Sequence, residues 1–338
     1  MKFPDIYEQT LRDGLMTRPQ ISSAVKKDLI TRLLSCGIHN FEVVRFPIDG
    51  KYPQFDDGIQ FLQSLEPIRS KAIIAAFAMG DEGIKEAMKY TQFFHQLHVP
   101  CFISDNYSLY AFGSKDWSHS LKRIESAFEK CAKYGTELTV GIGTVFGCPL
   151  SNDHSVERTV RRLNEIIALG IDCLMLGDTA GTATPELVRE TLTALTNSKR
   201  PKTIRVHFHN TSGRALLNTW TAILCGVDGV DTSLLGLGGE PHPYFIVPDL
   251  VSNGNCPTED VVDLLAKFKS TPEVAKTATK QRTTTDSQFL YDASKLFDTC
   301  RWFSRYLSEI PSGRSSFAEF IPVKEINDHE IPQGTHRH

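Results

Sequence analysis

The chain has 338 residues, 41% of them hydrophobic and 23% charged, which suits one large globular domain or two medium ones. A net charge of −3 offers no electrostatic ground for a nucleic-acid or anionic-membrane partner. No stretch approaches the roughly 18 uninterrupted apolar residues that a membrane helix needs.

The opening MKFPDIYEQTLRDG lacks an apolar signal core, so a cytoplasmic location is expected, with no nucleic acid and no membrane among the partners. DIYEQTL reads as a first strand. It is followed by SSAVKKDLITRLLSCG, where Val25, Leu29, Ile30, Leu33 and Leu34 recur at helical spacing and Gly37 suits a C-terminal stop. Seven more β-like runs follow: NFEVVRF, AIIAAFA, QLHVPCFIS, ELTVGIGTVF, CLMLGDT, TIRVHFHN and GVDTSLLGLG. Between them lie helical patterns such as DEGIKEAMKY, HSLKRIESAFEKCAKYG, SVERTVRRLNEIIALG, TPELVRETLTAL and SGRALLNTWTAILCG, several closed by glycine. Eight βα units in about 265 residues predict an α/β fold, a (β/α)8 TIM barrel. The competing doubly wound sheet wants a glycine-rich phosphate turn after its first strand, where this chain reads LRDGLMTRP.

The βα rhythm fades near residue 266. The expected organisation is a barrel domain over 1–266, a short helical C-terminal extension over 267–325, and a flexible tail over 326–338. Leu296, Phe297, Trp302, Phe303 and Leu307 fall at near-helical spacing in the extension. Barrels of this kind are often dimers, so that face has two candidate uses, covering its own barrel or meeting a second copy in a homodimer. The first is favoured. The eight cysteines carry no CxxC pair and are expected to be free thiols.

In a barrel of this type, chemistry collects where strands run into the loops of the C-terminal face. Read that way, the candidates are Arg12 and Asp13 after strand one, Glu42 and Arg45 on strand two, Cys148 beyond strand five, Asp178 and Thr179 after strand six, and His207, His209 and Asn210 on strand seven. Residues two apart in a strand point to one side, so His207 and His209 share a face, and with a carboxylate from another strand they make a ready divalent-cation site. Alone, such a pair is more often a satisfied core feature. Asp13 raises the case for a metal, because a buried mouth is costly for Arg12 and Asp13 unless each finds a partner. GDT at 177–179 also reads as a turn and helix cap, and GLGG at 236–239 as a loop of low specificity.

Taken in order, RDGL at 12–15, FGCP at 146–149, LGDTAGTATP at 176–185, VHFHNTSGRALLN at 206–218, GLGG at 236–239 and GNCPTED at 254–260 resemble the metal-dependent TIM-barrel lyases and synthases, the DRE-TIM metallolyases. That family includes 3-hydroxy-3-methylglutaryl-CoA lyase, isopropylmalate synthase and homocitrate synthase, and the lyase branch fits best. The resemblance spans about residues 5–265. It implies a divalent ion, Mg²⁺ or Mn²⁺, held by Asp13, His207, His209 and Asn255. It also implies that Arg12 stabilises an enolate oxygen, that Glu42 supports the site beside it, and that Asp178 and His207 belong to the catalytic mouth. The implied chemistry is retro-Claisen or retro-aldol cleavage of a small hydroxy-acid or acyl substrate such as a CoA thioester, through an enolate.

Two departures stand out. The lyase loop continues GLGGCP with a cysteine needed for turnover, whereas here Glu240 takes that place, and its ordinary acidity differs from a thiol's by several pH units. The stretch PHPYFIVPDLVSNG that follows is longer and more apolar than the lyase's, and Met16 stands where the lyase has glutamine. Glu240 is therefore expected to act as an acid or to contact substrate, Cys256 is expected to pack behind Asn255, and His242 to be solvated. The leading expectation is a metal-dependent carbon–carbon lyase with an altered acyl substrate. The alternatives are a condensing synthase that joins an acyl-CoA to a 2-oxo acid, and a barrel that binds a metabolite without catalysis.

Overall fold

The structure, a computed structural model, describes residues 3–16, 18–152, 154–179, 181–211, 213–239, 254–269 and 291–309. Expectations for Glu240, His242, the 241–253 loop and the 326–338 tail lie outside the described residues. Eight strands run in chain order: β1 (Asp5–Glu8), β2 (Asn40–Phe46), β3 (Ile73–Ala78), β4 (Gln96–Phe102), β5 (Glu137–Gly143), β6 (Cys173–Asp178), β7 (Thr203–Phe208) and β8 (Gly229–Thr232). Each pairs with the next in parallel and β8 closes onto β1, so the expected barrel is present. Strands buried on both faces read as near-continuous apolar runs, as β4 and β6 do.

The outer ring is formed by α1 (Ser23–Ser35), α2 (Gly58–Ser64), α3 (Gly80–Ala87), α4 (Asp105–Phe112), α5 (Trp117–Tyr134), α6 (Val156–Ala168), α7 (Pro185–Ser198), α8 (Ala215–Leu224) and α9 (Thr258–Lys269). Their starts follow from local chemistry. Ser22, Ser104, Asp116, Ser155 and Thr184 each accept a hydrogen bond from a backbone N–H of the first turn, and Pro185 fills the first position of α7. Thr184 thus caps α7, and Asp178 of the GDT segment shapes the turn before it. The short helices α2 and α4 escape the periodicity reading.

A tenth helix, α10 (Ala293–Glu309), packs on α1 and α9 and buries Leu296, Cys300 and Phe303. At its start the Tyr291 hydroxyl accepts from Ile6 N (3.2 Å) and donates to Pro4 O (3.3 Å), and Asp292 N donates to Cys36 O (2.9 Å). Leu296 and Phe303 of this face therefore cover the protein's own barrel, whereas Phe297 is exposed. Among the described residues, no helix is long and apolar enough to cross a membrane.

Three local departures from the expected strands matter for the site. Strand one stops at Glu8, and TLRDG forms a single wide turn of π-helix in which Gln9 O collects the N–H groups of Arg12, Asp13 and Gly14. Strand seven stops at Phe208, and His209 pairs across a short bridge with Asn255. Strand five stops at Gly143, because Thr144 turns the chain with φ 56° and gives its N–H to the Thr179 hydroxyl (2.9 Å).

Candidate metal centre

The wide turn after β1 places two consecutive side chains, Arg12 and Asp13, in the C-terminal mouth, both buried. Asp13 meets His207 from β7 and His209 just beyond it, and one ligand atom from each of the three lies within 4.8 Å of the others. The imidazole rings stand 4.9 Å apart, at 74° to each other. Each is oriented from behind: His207 Nδ1 faces Asp231 Oδ2 at 3.5 Å, and His209 Nδ1 faces Thr179 O at 3.1 Å. The Nδ1 of His209 is engaged by a hydrogen bond, which leaves its Nε2 for a cation, whereas His207 Nδ1 lies near Asp231 without a hydrogen bond among the described residues.

Asn255 completes the group. Its Nδ2 donates to Asp13 Oδ2 (2.6 Å), Ser233 Oγ (3.1 Å) and Leu237 O (3.0 Å), which fixes the amide's orientation. Its Oδ1 is buried and has no hydrogen-bond partner among the described residues. A buried carbonyl oxygen without a donor is costly, and a cation held at Asp13 within its reach would satisfy it. One carboxylate and two imidazoles form a donor set that could hold a divalent cation, and the Asn255 amide oxygen is the candidate fourth donor. The loop that brings Asn255 close requires glycine: a Cβ on Gly238 (φ +102°) would lie 2.6 Å from Asn255 Nδ2 and 2.8 Å from Asp13 Oδ2. GLGG is therefore a shaped wall of the site rather than a flexible linker.

The charges are strongly biased. Burial pushes the Asp13 carboxyl up, but Arg12, then His207 and His209, together hold it well below the usual carboxylate range. Burial likewise works against an ionised Glu42, and the Arg12 guanidinium and His98 reverse it, so Glu42 is also held low. Burial opposes a charged His207, and Asp231 and Asp13 overcome it and raise the imidazole.

Arg12 is gripped on several sides. Its Nε donates to Glu42 Oε1, Nη1 to Asp13 Oδ1 (2.7 Å) and Nη2 to Gln9 Oε1 (3.4 Å), while its plane rests over Phe77 at 4.7 Å. Of the five guanidinium hydrogens these bonds use three, which leaves one on each Nη. The second Glu42 oxygen is taken by His98 Nδ1 at 2.7 Å.

Asp178, at the end of β6, accepts Thr182 N (3.0 Å) and Ala183 N (3.1 Å) on Oδ1. Its Oδ2 is buried without a partner among the described residues, and burial pushes the carboxyl up to about 7. Its neighbour Gly177 is in register with His207. Cys256 is fully buried, takes a hydrogen bond from the Thr219 hydroxyl (3.4 Å), and is pushed by burial up to about 12, so it packs behind Asn255 as expected. Cys148 is half-buried on the far side of the β5 turn.

Arg12, Asp13, Glu42, His207, His209 and Asn255 are thus brought together, with Asp178 beside them. Four contributors escape a reading of the sequence: Gln9, His98, Arg205 and Asp231. Asp231 on β8 takes Arg205 Nε (3.0 Å) and Nη2 (2.7 Å) on Oδ1, and Gln9 Nε2 (3.2 Å) on Oδ2. Arg205 in turn lies 3.6 Å over the Tyr7 ring. The only sequence signal for these was a charged or polar residue at an inward strand position, which alternation alone does not separate from an outward one.

A family model described as HMGL-like matches residues 4–296. The hydroxymethylglutaryl-CoA lyase of Bacillus subtilis is 31% identical over 259 residues, which is 76% of this chain and 83% of that protein. The mitochondrial hydroxymethylglutaryl-CoA lyase of Macaca fascicularis is 28% identical over 271 residues, 77% of each chain. The crystal structure of the Bacillus subtilis HMG-CoA lyase matches with a TM-score of 0.76 and 26% identity, covering 94% of this chain and 100% of that one. A closed eightfold barrel, a buried Asp-His-His group at its mouth and a match over nearly the whole described chain lead to one assignment: the chain belongs to the HMGL-like family, and it is a carbon–carbon lyase.

Proposed function

We propose that this lyase uses a divalent cation, Mg²⁺ or Mn²⁺, held by Asp13, His207, His209 and Asn255, to cleave a 3-hydroxyacyl thioester related to that of its relatives but with a different acyl group. The observation that carries the reading is the buried Asp-His-His group with the unsatisfied Asn255 Oδ1 beside it, facing the mouth that also holds Arg12. A cation in such a site supplies Lewis acidity toward substrate oxygens.

The chain's own groups divide the remaining work. Asp178 Oδ2 is buried, lacks a donor among the described residues and belongs to a carboxyl raised to about 7, so it is the group suited to take the substrate hydroxyl proton at neutral pH. As that proton leaves, the hydroxyl oxygen becomes a carbonyl and the carbon–carbon bond breaks. Its electron pair moves onto the thioester enolate, and a proton delivered to the enolate's α-carbon then gives the second product, an acyl thioester. The two uncommitted Nη hydrogens of Arg12 form a bidentate donor for the developing oxyanion. Glu42 is not a base in this scheme, because both its oxygens are occupied; it holds Arg12 in place.

The altered acyl group rests on sequence: Glu240 stands where the lyase has its loop cysteine, and the apolar stretch 241–254 follows it. Residues 1–266 carry the catalysis in this reading, and the α10 helix braces the barrel. A cytoplasmic location and a freely diffusing substrate belong to the same proposal. No observation favours the condensing alternative. A catalytically empty barrel is at odds with the family assignment.

The test is metal analysis with a substrate panel. Dialysed protein is expected to take up about one Mn²⁺ or Mg²⁺ per chain and to split one member of a 3-hydroxyacyl-CoA panel into two products separable by mass. Cleavage that survives chelation and the His209→Ala change would overturn the metal assignment. A panel cleaved only at the 3-hydroxy-3-methylglutaryl thioester would overturn the altered acyl group.

A further inference from the structure

His98 on β4 is fully buried. Its Nδ1 lies 2.7 Å from Glu42 Oε2, and its ring meets Phe77 edge-on with centroids 5.0 Å apart. Phe77 is in register with His98 and carries the Arg12 guanidinium on its face. His98 therefore touches both supports of Arg12: the carboxylate that takes its Nε and the ring beneath its plane.

The direction of the bond follows from the partner. Glu42 is held ionised by Arg12 and His98, and a carboxylate only accepts, so the hydrogen is on His98 Nδ1. Without it, Oε2 of Glu42 would be a buried anionic oxygen with no other donor given to it. Such an oxygen either recruits water or swings toward another donor. Either movement takes Oε1 away from Arg12 Nε.

A second residue shows that the chain makes room for this ring. Gly141 stands in the middle of β5, where glycine is unfavourable for a strand. A Cβ there would lie 1.8 Å from His98 Nε2 and within 2.9 Å of two ring carbons. The imidazole occupies the space that a side chain at 141 would fill.

We propose that His98 is the positioning residue for Arg12, acting through Glu42, and that Gly141 is glycine to admit its ring. The proposal rests on the reading of Arg12 as the oxyanion donor, and its test separates the two. His98→Asn keeps a donor near the Nδ1 position, His98→Leu removes it, and Gly141→Ala displaces the ring.

The first measurement needs no substrate: hydrogen exchange at the Arg12 Nε–H, assigned in ¹⁵N spectra by its loss in Arg12→Lys. Wild type and His98→Asn are expected to show a protected, slowly exchanging signal, and His98→Leu and Gly141→Ala a signal that exchanges at least about 10-fold faster. The second is turnover of the best thioester of the panel. His98→Leu is expected to lower kcat roughly 10- to 100-fold, the range typical for groups that orient a ligand from behind, with KM and Mn²⁺ affinity within about 2-fold of wild type.

His98→Asn is expected to recover most of that loss, which simple cavity filling would not bring about. Unchanged Arg12 protection in His98→Leu, or an Asn variant as impaired as the Leu variant, would overturn the proposal. If wild type cleaves no thioester, the function reading fails and the exchange measurement still decides the role of His98.

Discussion

The two sides of the barrel mouth are built on opposite plans. On the β1, β2 and β4 side, Arg12, Glu42 and His98 are joined by short hydrogen bonds, and both carboxylate oxygens are spoken for. On the β6, β7 and β8 side, Asp178 Oδ2 and Asn255 Oδ1 are buried with no partner among the described residues, and two imidazoles converge on Asp13. On the first side Glu42 is satisfied on both oxygens, while Arg12 keeps one hydrogen on each Nη. On the proposed reading, an oxyanion donor and a cation-binding group meet at the adjacent residues Arg12 and Asp13.

Four changes would break or sharpen that contrast. Removing a ligand should act most strongly: His209→Ala is expected to lower Mn²⁺ affinity by more than about 100-fold, beyond the range for groups behind a ligand, and to end metal-stimulated turnover. Isothermal titration with Mn²⁺ checks it, and an affinity within 10-fold of wild type would contradict the ligand assignment. Arg12→Lys attacks the other side. It keeps the charge but loses the fork, so kcat should fall roughly 100- to 1000-fold while Mn²⁺ binding changes little. A matching loss of metal affinity would show that the two sides are not separable.

Asp231→Asn lies behind the metal side. It leaves an oxygen for Arg205 but weakens the hold on His207, with an expected 10- to 100-fold loss in Mn²⁺ affinity. A variant with wild-type affinity would reduce Asp231 to a core partner of Arg205.

The smallest effect on the site is at Glu8, below the mouth, where Thr10 N (2.9 Å) and the hydroxyls of Thr10 and Thr258 point at a carboxyl that burial raises to about 7. A carboxyl raised on folding favours the native state below its unfolded value near 4.5, and that contribution is lost as pH rises through about 7. Glu8→Gln should remove this slope, so relative to wild type it should gain on the order of 3 kcal/mol between pH 4 and 8. Urea unfolding across that range reads it directly. Parallel pH profiles for the two proteins would show that Glu8 does not titrate on folding.

The eight strands were legible because buried parallel strands leave apolar runs of characteristic length, and most helices because apolar residues recur at helical spacing and glycine closes them. The candidate cation ligands were legible for a different reason: Asp13 and the histidine pair are polar residues at strand ends, and the family resemblance added Asn255. His98 was hidden because one histidine in QLHVPCF looks like any satisfied core residue, and its partner Glu42 is 56 positions away. Asp231 was hidden in GVDTSLL, since its partners Arg205 and Gln9 come from β7 and from just beyond β1. Pairings across a closed barrel depend on register, and no local pattern encodes register. Glu240, the residue that most separates this chain from the lyase pattern, lies outside the described residues.

The wide turn at Thr10–Gly14 sets a tolerance of its own. In an ordinary helical turn, neighbouring side chains diverge by about 100°, whereas this turn keeps both Arg12 and Asp13 at the mouth by carrying one residue more. Loss of any single residue between Gln9 and Gly14 would tighten it to an α-turn and rotate one of the two away. Over these few positions, the length of the chain is under stricter control than its composition. Indel scanning of 9–14 should therefore leave fewer active variants than substitution scanning of the same window.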